Sequence, residues 1–309
     1  MSHPLVHPPQ TSNDLLADRR FAWANALAAD GELAAAVDLF EQVVDRVPDW
    51  APGWASLAGA LHRLSSPNEL AVWRRVLALD PADHFGAALH IARLEGSVPG
   101  GMPAAYVAAL FDGYASRFEH HLVEDLKYCG PRLVTAALDR LAPRRTFARA
   151  LDLGCGTGLM ARAVSARAVE IDGIDLSRRM VERAASTGLY QHVQTGPLES
   201  ALAGPSAYDL ILAADVLAYV GDLAAVMSGV ARSLVPGGLF VFTLQSSVTE
   251  PGDGGIELGQ DLRFAHSRHY VERIVASAKL NLLGLDDGQV RTERGTPVPG
   301  WVGTAALAS

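Results

Sequence analysis

The sequence is poor in cysteine and contains neither a long apolar run nor a secretory pattern. Its 309 residues include two cysteines, Cys129 and Cys155, so at most one disulfide is available. Scarce cysteine favours a reducing compartment. The N-terminal residues lack a basic segment followed by an apolar one, and no run of about 18 apolar residues is present. We therefore expect a soluble, cytoplasmic protein that crosses no membrane.

Positive charge is also scarce, because 26 Lys and Arg stand against 34 Asp and Glu, a formal net charge of −8. Binding to nucleic acid draws most of its strength from basic residues, so a nucleic-acid substrate is disfavoured. The histidines are scattered, and no group of His, Cys, Asp or Glu has metal-ligand spacing. We therefore predict no metal site in what is otherwise a globular composition.

The N-terminal third has a helical, alanine-rich pattern over residues 14–96, after a tail of residues 1–13 that we expect to be loosely ordered. Two of its segments end at Pro48 and Pro81, which are 33 residues apart. Residues 54–61, WASLAGAL, resemble the first-helix pattern of a tetratricopeptide repeat. We predict about two such repeats and a capping half-unit, with an ordinary helical bundle as the alternative. Such an array holds a peptide, docks a protein partner or self-associates.

Residues 97–145 are expected to form a linker and lid helices. Gly and Pro interrupt the helical pattern over residues 96–103, and residues 104–126 then read as a helix. Apolar and aromatic residues recur there at helical spacing: Tyr106, Leu110, Phe111, Tyr114 and Phe118. Tyr114 is the first candidate to fold over a cofactor, and packing in the core is the alternative.

Residues 149–158, RALDLGCGTG, carry the strongest functional signal. A short apolar run enters a glycine-rich turn that leads into a helix, which is the context of a nucleotide-cofactor loop. Gly154, Gly156 and Gly158 are spaced G-x-G-x-G, whereas a dinucleotide site has G-x-G-x-x-G. Asp152 repels a pyrophosphate but attracts a positive charge. The loop therefore favours an aminoacyl nucleoside with an ammonium or sulfonium end.

A second acid follows at the end of the next predicted strand. Asp175 lies 17 residues after Gly158, the position that meets ribose hydroxyls in doubly wound folds. Glu170 and Asp172 are alternatives that lie deeper in the strand. If Asp175 meets the ribose, Leu176 and Met180 are expected to pack near the adenine.

A series of motifs extends over residues 151–244: LDLGCGTG, GIDLS, YDLILAADVLAYVGDL and LVPGGLFVFTL. In order and spacing the series resembles that of class I S-adenosylmethionine-dependent methyltransferases. The repeats and residues 106–118 are similar to a bacterial subgroup of methyltransferases that contain tetratricopeptide repeats. The resemblance implies an α/β fold, a Rossmann-like doubly wound sheet over residues 146–309, behind the all-α repeat domain. It also implies S-adenosyl-L-methionine as cofactor and S-adenosyl-L-homocysteine as product.

The resemblance further implies the strands and the cofactor contacts. Strands are expected near residues 149–153, 168–175, 191–195, 208–214 and 237–245, with a terminal hairpin near 281–290 and 299–307. The loop residues that line the methionine end are Asp152, Gly154, Cys155, Gly156 and Gly158. Asp175 binds the ribose, and residues 195–198 border the adenine. Many relatives have Asp at the position of Pro197, so the backbone N–H of Leu198 is expected to serve instead. Residues 236–238 form the turn into the fifth strand.

Methyl transfer needs a base only when the acceptor must lose a proton. The methyl group of the cofactor is already activated, so the enzyme otherwise has mainly to align the acceptor with it. Asp215 is one candidate base, with capping of a following helix over residues 216–219 as the alternative. Tyr219 could line the same pocket. His266 and His269 follow the predicted flexible residues 249–260, at a predicted helix start. Each is a base or, alternatively, a solvent-exposed or helix-capping residue.

Three functions are compatible with these features. The first is methylation of an oxygen or nitrogen of a small molecule, and the second is methylation of a protein or peptide held by the repeats. The third is a non-catalytic protein that binds the cofactor. The acceptor cannot be read from the fold.

Overall fold

The computed structural model describes residues 11–115, 128–204, 207–247, 254–293 and 295–308. The chain divides into two compact units, one of residues 1–99 and 105–113 and the other of residues 100–104 and 114–309. Phe118 and residues 1–10 of the predicted tail lie outside the described residues.

Within the described residues, the N-terminal region forms six helices. They are α1 Leu15–Asp30, α2 Leu33–Arg46, α3 Ala51–Arg63, α4 Glu69–Leu79, α5 Ala87–Glu95 and α6 Ala104–Tyr114. Helix α1 begins after Asp14, whose carboxylate accepts hydrogen bonds from two N–H groups of the first turn, and it ends at Gly31 with a φ of 89°. Residues 11–13 of the predicted tail are ordered here, since the Ser12 N–H and hydroxyl both donate to Asp18. Side-chain oxygens of this kind satisfy the N–H groups that a helix start leaves open.

Small residues lie where consecutive helices from α1 to α5 pack on one another. Ala24, Ala36, Ala55 and Ala58 are fully buried, which lets the helix backbones approach closely. In the WASLAGAL segment of α3, Leu57 and Leu61 are buried beside Ala58. The Trp54 indole N–H donates to the Pro48 carbonyl oxygen over 2.8 Å. The residues that the sequence singles out in this segment therefore do pack between helices.

The second unit is built on a mixed sheet of nine described strands. They are β1 Phe147–Leu153, β2 Ala168–Asp175, β3 His192–Thr195, β4 Tyr208–Ala213, β5 Leu234–Ser246, β6 Ile256–Leu258, β7 Phe264–His266, β8 Leu280–Glu293 and β9 Thr296–Leu307. Strands β3, β2, β1, β4 and β5 are neighbours in that order and run parallel. Strand β9 pairs antiparallel with β5 and with β8. The predicted Rossmann-like sheet with its terminal hairpin is therefore present.

Helices cover both faces of this sheet. They are α7 Gly130–Leu141, α8 Leu159–Val164, α9 Arg178–Ser186, α10 Leu198–Ala201, α11 Ala224–Ser233 and α12 Arg268–Ser277, with a 3₁₀ helix at Leu217–Tyr219. Along β4, Ile211 belongs to one apolar core cluster with residues of α11 and α12. Its neighbours Leu210 and Leu212 belong to the other cluster, with residues of α7 and α8. Because successive side chains of a strand point to opposite faces, a continuously apolar strand fills both cores.

Two features differ from the predicted strands. Strand β5 begins at Leu234, so residues 236–238 lie within it, at a bend where Gly237 has a φ of 73°. Residues 256–258 and 264–266 form a small antiparallel hairpin, β6 and β7. Strand β7 pairs in parallel with the end of β5 at residues 245 and 246. The predicted helix start within residues 263–270 is present at Arg268, whereas the predicted flexible segment was wrong over residues 256–258, because these pair with residues 264–266 and extend the sheet.

Candidate active site

The glycine loop connects β1 to α8 at the carboxyl edge of the parallel strands. Gly154, Gly156 and Gly158 all have positive φ, of 68°, 52° and 95°, a region that favours glycine. The N–H groups of Gly154 and Cys155 donate to the Ile174 carbonyl oxygen of β2. A Cβ on Gly154 would lie 2.4 Å from a methyl group of Val216. The turn is therefore held tightly, and its first glycine has no room for a side chain.

Asp152 lies beneath this loop and is almost fully buried, at 1% exposure. It accepts a hydrogen bond of 2.7 Å from the Tyr190 hydroxyl. Burial raises the pKa of Asp152 to about 7 and the charge of Asp175 adds to this, while the hydrogen bond from Tyr190 opposes it. Burial likewise raises the pKa of the Cys155 thiol in the same loop. A cation brought to Asp152 would stabilise the carboxylate form.

Asp175 stands at the end of β2, on the other side of the loop. One carboxylate oxygen accepts from the Gly156 N–H over 2.9 Å, and the other accepts from the Ser177 N–H over 2.8 Å. Asp172 is instead buried against Arg149, with 2.7 Å between the guanidinium and the carboxylate. Glu170 also faces Arg149, at 3.9 Å. Of the three acids considered for the ribose, Asp175 is the one beside the glycine loop.

The loop and its surroundings fit a nucleoside ligand with a positive end. The three glycines of the loop have no side chains, so a ligand can approach the loop backbone closely. The carboxylates of Asp152 and Asp175 flank this backbone. The Thr157 hydroxyl is buried and has no hydrogen-bond partner within the described residues. A buried hydroxyl without a partner is costly, and a bound ligand can supply one.

The residues expected near the adenine differ in exposure. Leu176 is half-buried, whereas Met180 is fully buried in α9 and Leu198 is nearly so. Leu198 is the first residue of α10, where helix geometry leaves the backbone N–H without an intrahelical acceptor. Pro197 precedes it and contributes no side-chain cap. Tyr114 is the half-buried last residue of α6.

Asp215 follows β4 at the same edge of the sheet, with a φ of 58°. Its N–H donates to the Thr243 hydroxyl, and its carboxylate accepts a 2.8 Å hydrogen bond from Arg291. The 3₁₀ helix that follows has no side-chain cap, and Val216 occupies the capping position. The alternative that Asp215 caps a helix was therefore wrong, because its carboxylate is engaged by a guanidinium.

Arg291 was not predicted from the sequence to belong to the site. In the structure its side chain is only 1% exposed. Besides Asp215 it donates to the Gln245 side-chain oxygen over 3.0 Å, and it lies 3.6 Å from Asp261. It reaches the site from β8, just after an irregularity in the pairing with β9 at Gln289. Two carboxylates and an amide thus surround one buried cation.

Two tyrosines complete this polar group. Burial raises the pKa of Tyr219, and the nearby Arg263 opposes this by its charge and by a hydrogen bond. Tyr128, also missed from the sequence, has a pKa well above its ordinary value because of burial, with the charges of Asp215 and Asp152 adding to it. Both hydroxyls therefore stay protonated at neutral pH and act as neutral hydrogen-bond donors.

His266 lies on β7 and is fully buried. Its Nε2 is 2.8 Å from the Gly221 carbonyl oxygen, so Nε2 carries the proton and donates. Burial lowers the pKa of His266 to about 4, and hydrogen bonds to backbone carbonyls oppose this. Ser267 caps α12. The alternative of a solvent-exposed or capping His266 was therefore wrong, whereas His269 is exposed on α12.

Two further observations bear on the site and its setting. No group of three or more potential metal ligands occurs within the described residues. Across the same part of the chain, every helix is too short or too polar to cross a membrane.

Comparison with known proteins gives the family. A family model described as a methyltransferase domain matches residues 123–280, which are 158 of the 309 residues. The chain is 31% identical over 137 residues to the malonyl-[acyl-carrier protein] O-methyltransferase of Salmonella typhimurium, covering 44% of this chain and 52% of that protein. It is 35% identical over 107 residues to the ubiquinone biosynthesis O-methyltransferase of Xylella fastidiosa, covering 33% and 44%. The chain thus spans about half the length of these curated relatives.

Solved structures agree on the fold. The N-methyltransferase NodS from Bradyrhizobium japonicum, in complex with S-adenosyl-L-homocysteine, superposes with a TM-score of 0.50 at 17% identity. The superposition covers 66% of this chain and 99% of that one. The family match, which covers over half of the residues, makes the chain a member of the methyltransferase-domain family, whose methyl donor is S-adenosylmethionine.

Proposed function

We propose that this protein transfers a methyl group from S-adenosylmethionine to an oxygen or nitrogen of a small molecule. The observation that carries the proposal is the glycine loop between Asp152 and Asp175 at the carboxyl edge of the sheet. Ligands of doubly wound sheets bind at this edge. The cofactor supplies a methyl group already activated on a sulfonium, so the protein has mainly to bind and orient the reactants.

We assign the cofactor contacts as follows. Asp175 accepts hydrogen bonds from the ribose hydroxyls, and the loop backbone approaches the methionine end. Asp152 lies under that end and balances its positive charge. The Thr157 hydroxyl gains a partner, and the Leu198 N–H meets the adenine edge beside Leu176. Tyr114 stays our candidate for a lid residue.

The acceptor end of the site lies at Asp215 and Tyr219. Arg291 holds the Asp215 carboxylate from one side, which leaves the other oxygen to accept a hydrogen bond from an acceptor hydroxyl or amine. Tyr219 can donate to the same group, because burial keeps its hydroxyl protonated. His266 is too deeply buried to meet an acceptor directly, and we assign it to positioning the segment around Gly221. Oxygen is favoured as acceptor atom because both curated relatives above are named as O-methyltransferases.

A protein-borne acceptor is the second candidate, and the helical region favours it. We propose that residues 14–96 form a tetratricopeptide-like repeat domain, that residues 97–145 link it to the catalytic domain, and that residues 146–309 are that domain. The buried Leu57, Ala58 and Leu61 of the WASLAGAL segment support the repeat assignment. One relative is named for a malonyl group on an acyl-carrier protein, which is an acceptor carried by a protein.

Methyl transfer from S-adenosylmethionine with a labelled methyl group tests both candidates. We expect label to reach small hydroxyl compounds or amines, with Asp175→Ala as the inactive control. Label that reaches only proteins or carrier-bound groups would favour the second candidate. Binding of the cofactor without transfer to any acceptor class would contradict both and leave a non-catalytic binding protein.

A further inference from the structure

Helix α1 presents a broad apolar stripe to solvent. Trp23 is 63% exposed and Leu15 is 69% exposed. Each residue of an α-helix advances by about 100°, so the exposed residues of α1 other than Asn25, whose amide donates to the Phe21 carbonyl oxygen, fall within an arc of roughly 140°. The members of this stripe are Leu15, Leu16, Arg19, Ala22, Trp23, Ala26, Ala29 and Asp30. We call this set the α1 stripe.

The opposite face of α1 already packs inside the helical unit, where Ala17 and Ala24 are fully buried. Apart from Arg19 and Asp30 near the two ends of the stripe, helix α1 is thus apolar on both faces, which is typical of a helix that is covered on both sides. The outer helix of a stacked array needs a polar outer face to remain in water. A bulky indole beside leucines on this face therefore indicates a partner surface.

The charges on the α1 stripe show which partner fits. Arg19 lies near the start of the stripe and Asp30 at its end, about 20° apart around the helix axis. Neither side chain has an ion-pair partner within the described residues. When two copies of this helix pack antiparallel, the end that carries Arg19 in one copy lies beside the end that carries Asp30 in the other. The stripe is therefore complementary in charge to itself.

We propose that a second copy of this chain covers the α1 stripe, with the two α1 helices antiparallel about a two-fold axis. Arg19 of one protomer then meets Asp30 of the partner subunit, and the same pair forms again on the other side of the axis. The axis passes between residues 24 and 25. Each Trp23 accordingly rests on the small Ala22 and Ala26 of the partner subunit.

The contact is of modest size, because it consists mainly of one helix from each copy. Stable interfaces usually bury at least about 1,200 Å² in total. We therefore expect a dimer that dissociates on dilution and that weakens with added salt, since its charge pairs lie at the rim.

Charge reversal on the full-length chain tests this arrangement through oligomeric state, measured by sedimentation velocity at several concentrations. Arg19→Glu and Asp30→Arg should each be monomeric where the wild-type chain is dimeric. Mixed in equal amounts, the two variants should form a heterodimer. The introduced glutamate of one variant then faces the introduced arginine of the other, and the unchanged Asp30 faces the unchanged Arg19. Trp23→Ser should shift the dissociation constant at least tenfold, whereas Val169→Ser, at an apolar residue of the other unit that is even more exposed, should not.

Circular dichroism verifies that each variant is folded. A wild-type chain that stays monomeric over roughly a hundredfold range of concentration overturns the proposal. If removal of residues 1–10 then produces a dimer, that segment is the occupant of the stripe. A wild-type dimer that all three α1 variants leave intact overturns the proposal as well, because the copies then meet elsewhere.

Discussion

Asp215 illustrates how a distant partner determines the role of a residue. Its neighbours in the chain suggest a helix cap or a free base, but its carboxylate contacts Arg291, 76 residues further along. Because Arg291 is buried, it needs the negative charge of Asp215 as much as Asp215 needs the guanidinium. The pair therefore connects the acceptor end of the site to β8.

Arg291→Met tests this pair. Removal of the buried cation leaves the carboxylates of Asp215 and Asp261 without the positive charge that both contact, so we expect a loss of about 3–5 kcal/mol in the free energy of unfolding. Arg291→Met with Asp215→Asn should recover part of that loss, because the amide carries no charge. Urea unfolding measures both variants, and a double variant no more stable than Arg291→Met would argue against a coupled pair.

Asp152 should make stability depend on pH. Its folded pKa, about 7, lies above its ordinary value of 3.8, so the folded protein binds this proton more tightly than the unfolded chain. The resulting stabilisation is complete below about pH 4 and is lost as pH rises through 7, by at most about 1.4 kcal/mol per pH unit. The unfolding free energy of the wild type minus that of Asp152→Asn should fall over this window.

The comparison of the wild type with Asp152→Asn is needed because the pKa shift of His266 changes stability with pH in the opposite direction. Its folded pKa is lowered to about 4, so its contribution is present above its ordinary value near 6.5 and is lost as pH falls through 4. This contribution is the same in both proteins and cancels. A difference between wild type and Asp152→Asn that is independent of pH would mean that Asp152 is not protonated in the folded protein.

The glycine loop is the element in which shape matters most. Gly154→Ala introduces a Cβ 2.4 Å from Val216 at a φ of 68°. Gly188 has the same φ of 68° but nothing within 4 Å of an added Cβ, so Gly188→Ala is a control for backbone strain alone. We expect Gly188→Ala to cost about 1 kcal/mol and to leave cofactor affinity unchanged.

Gly154→Ala should cost about 1–3 kcal/mol more than the control, because the loop or Val216 must move. It should also weaken cofactor binding. Gly154→Ala with Val216→Ala should recover only part of this loss, since both Val216 methyl groups are removed but the Val216 Cβ, 2.6 Å from the added Cβ, remains. Equal losses in Gly154→Ala and Gly188→Ala would show that the loop has room for a side chain.

The elements that the sequence predicts well are those in which one stretch of chain decides the structure. The run LDLGCGTG gives an apolar strand, positive φ at its glycines and a following helix, and all three are present. The positions of Arg291 and His266 depend instead on pairing between distant strands. No periodicity near residue 291 reveals that an irregular pairing of β8 with β9 brings a buried cation to Asp215.

At the scale of the whole molecule, the chain combines a helical unit with a methyltransferase unit. The methyltransferase unit holds the glycine loop, both acids and the polar group around Arg291. The helical unit contributes the α1 stripe, for which we propose a second copy as partner. These two proposals are independent, because the first concerns the carboxyl edge of the sheet and the second concerns an outer helix face.

Calorimetric titration with S-adenosylmethionine, S-adenosylhomocysteine and NAD tests the central claim most directly. We predict micromolar binding of the first two and none of NAD. Asp175→Ala should lose about 1–3 kcal/mol of binding free energy, the scale of hydrogen bonds to a charged group, while Glu170→Ala should bind as the wild type does. Failure to bind either S-adenosyl compound, or equal affinities for the two variants, would contradict the assignment of the glycine loop and Asp175 as the cofactor site.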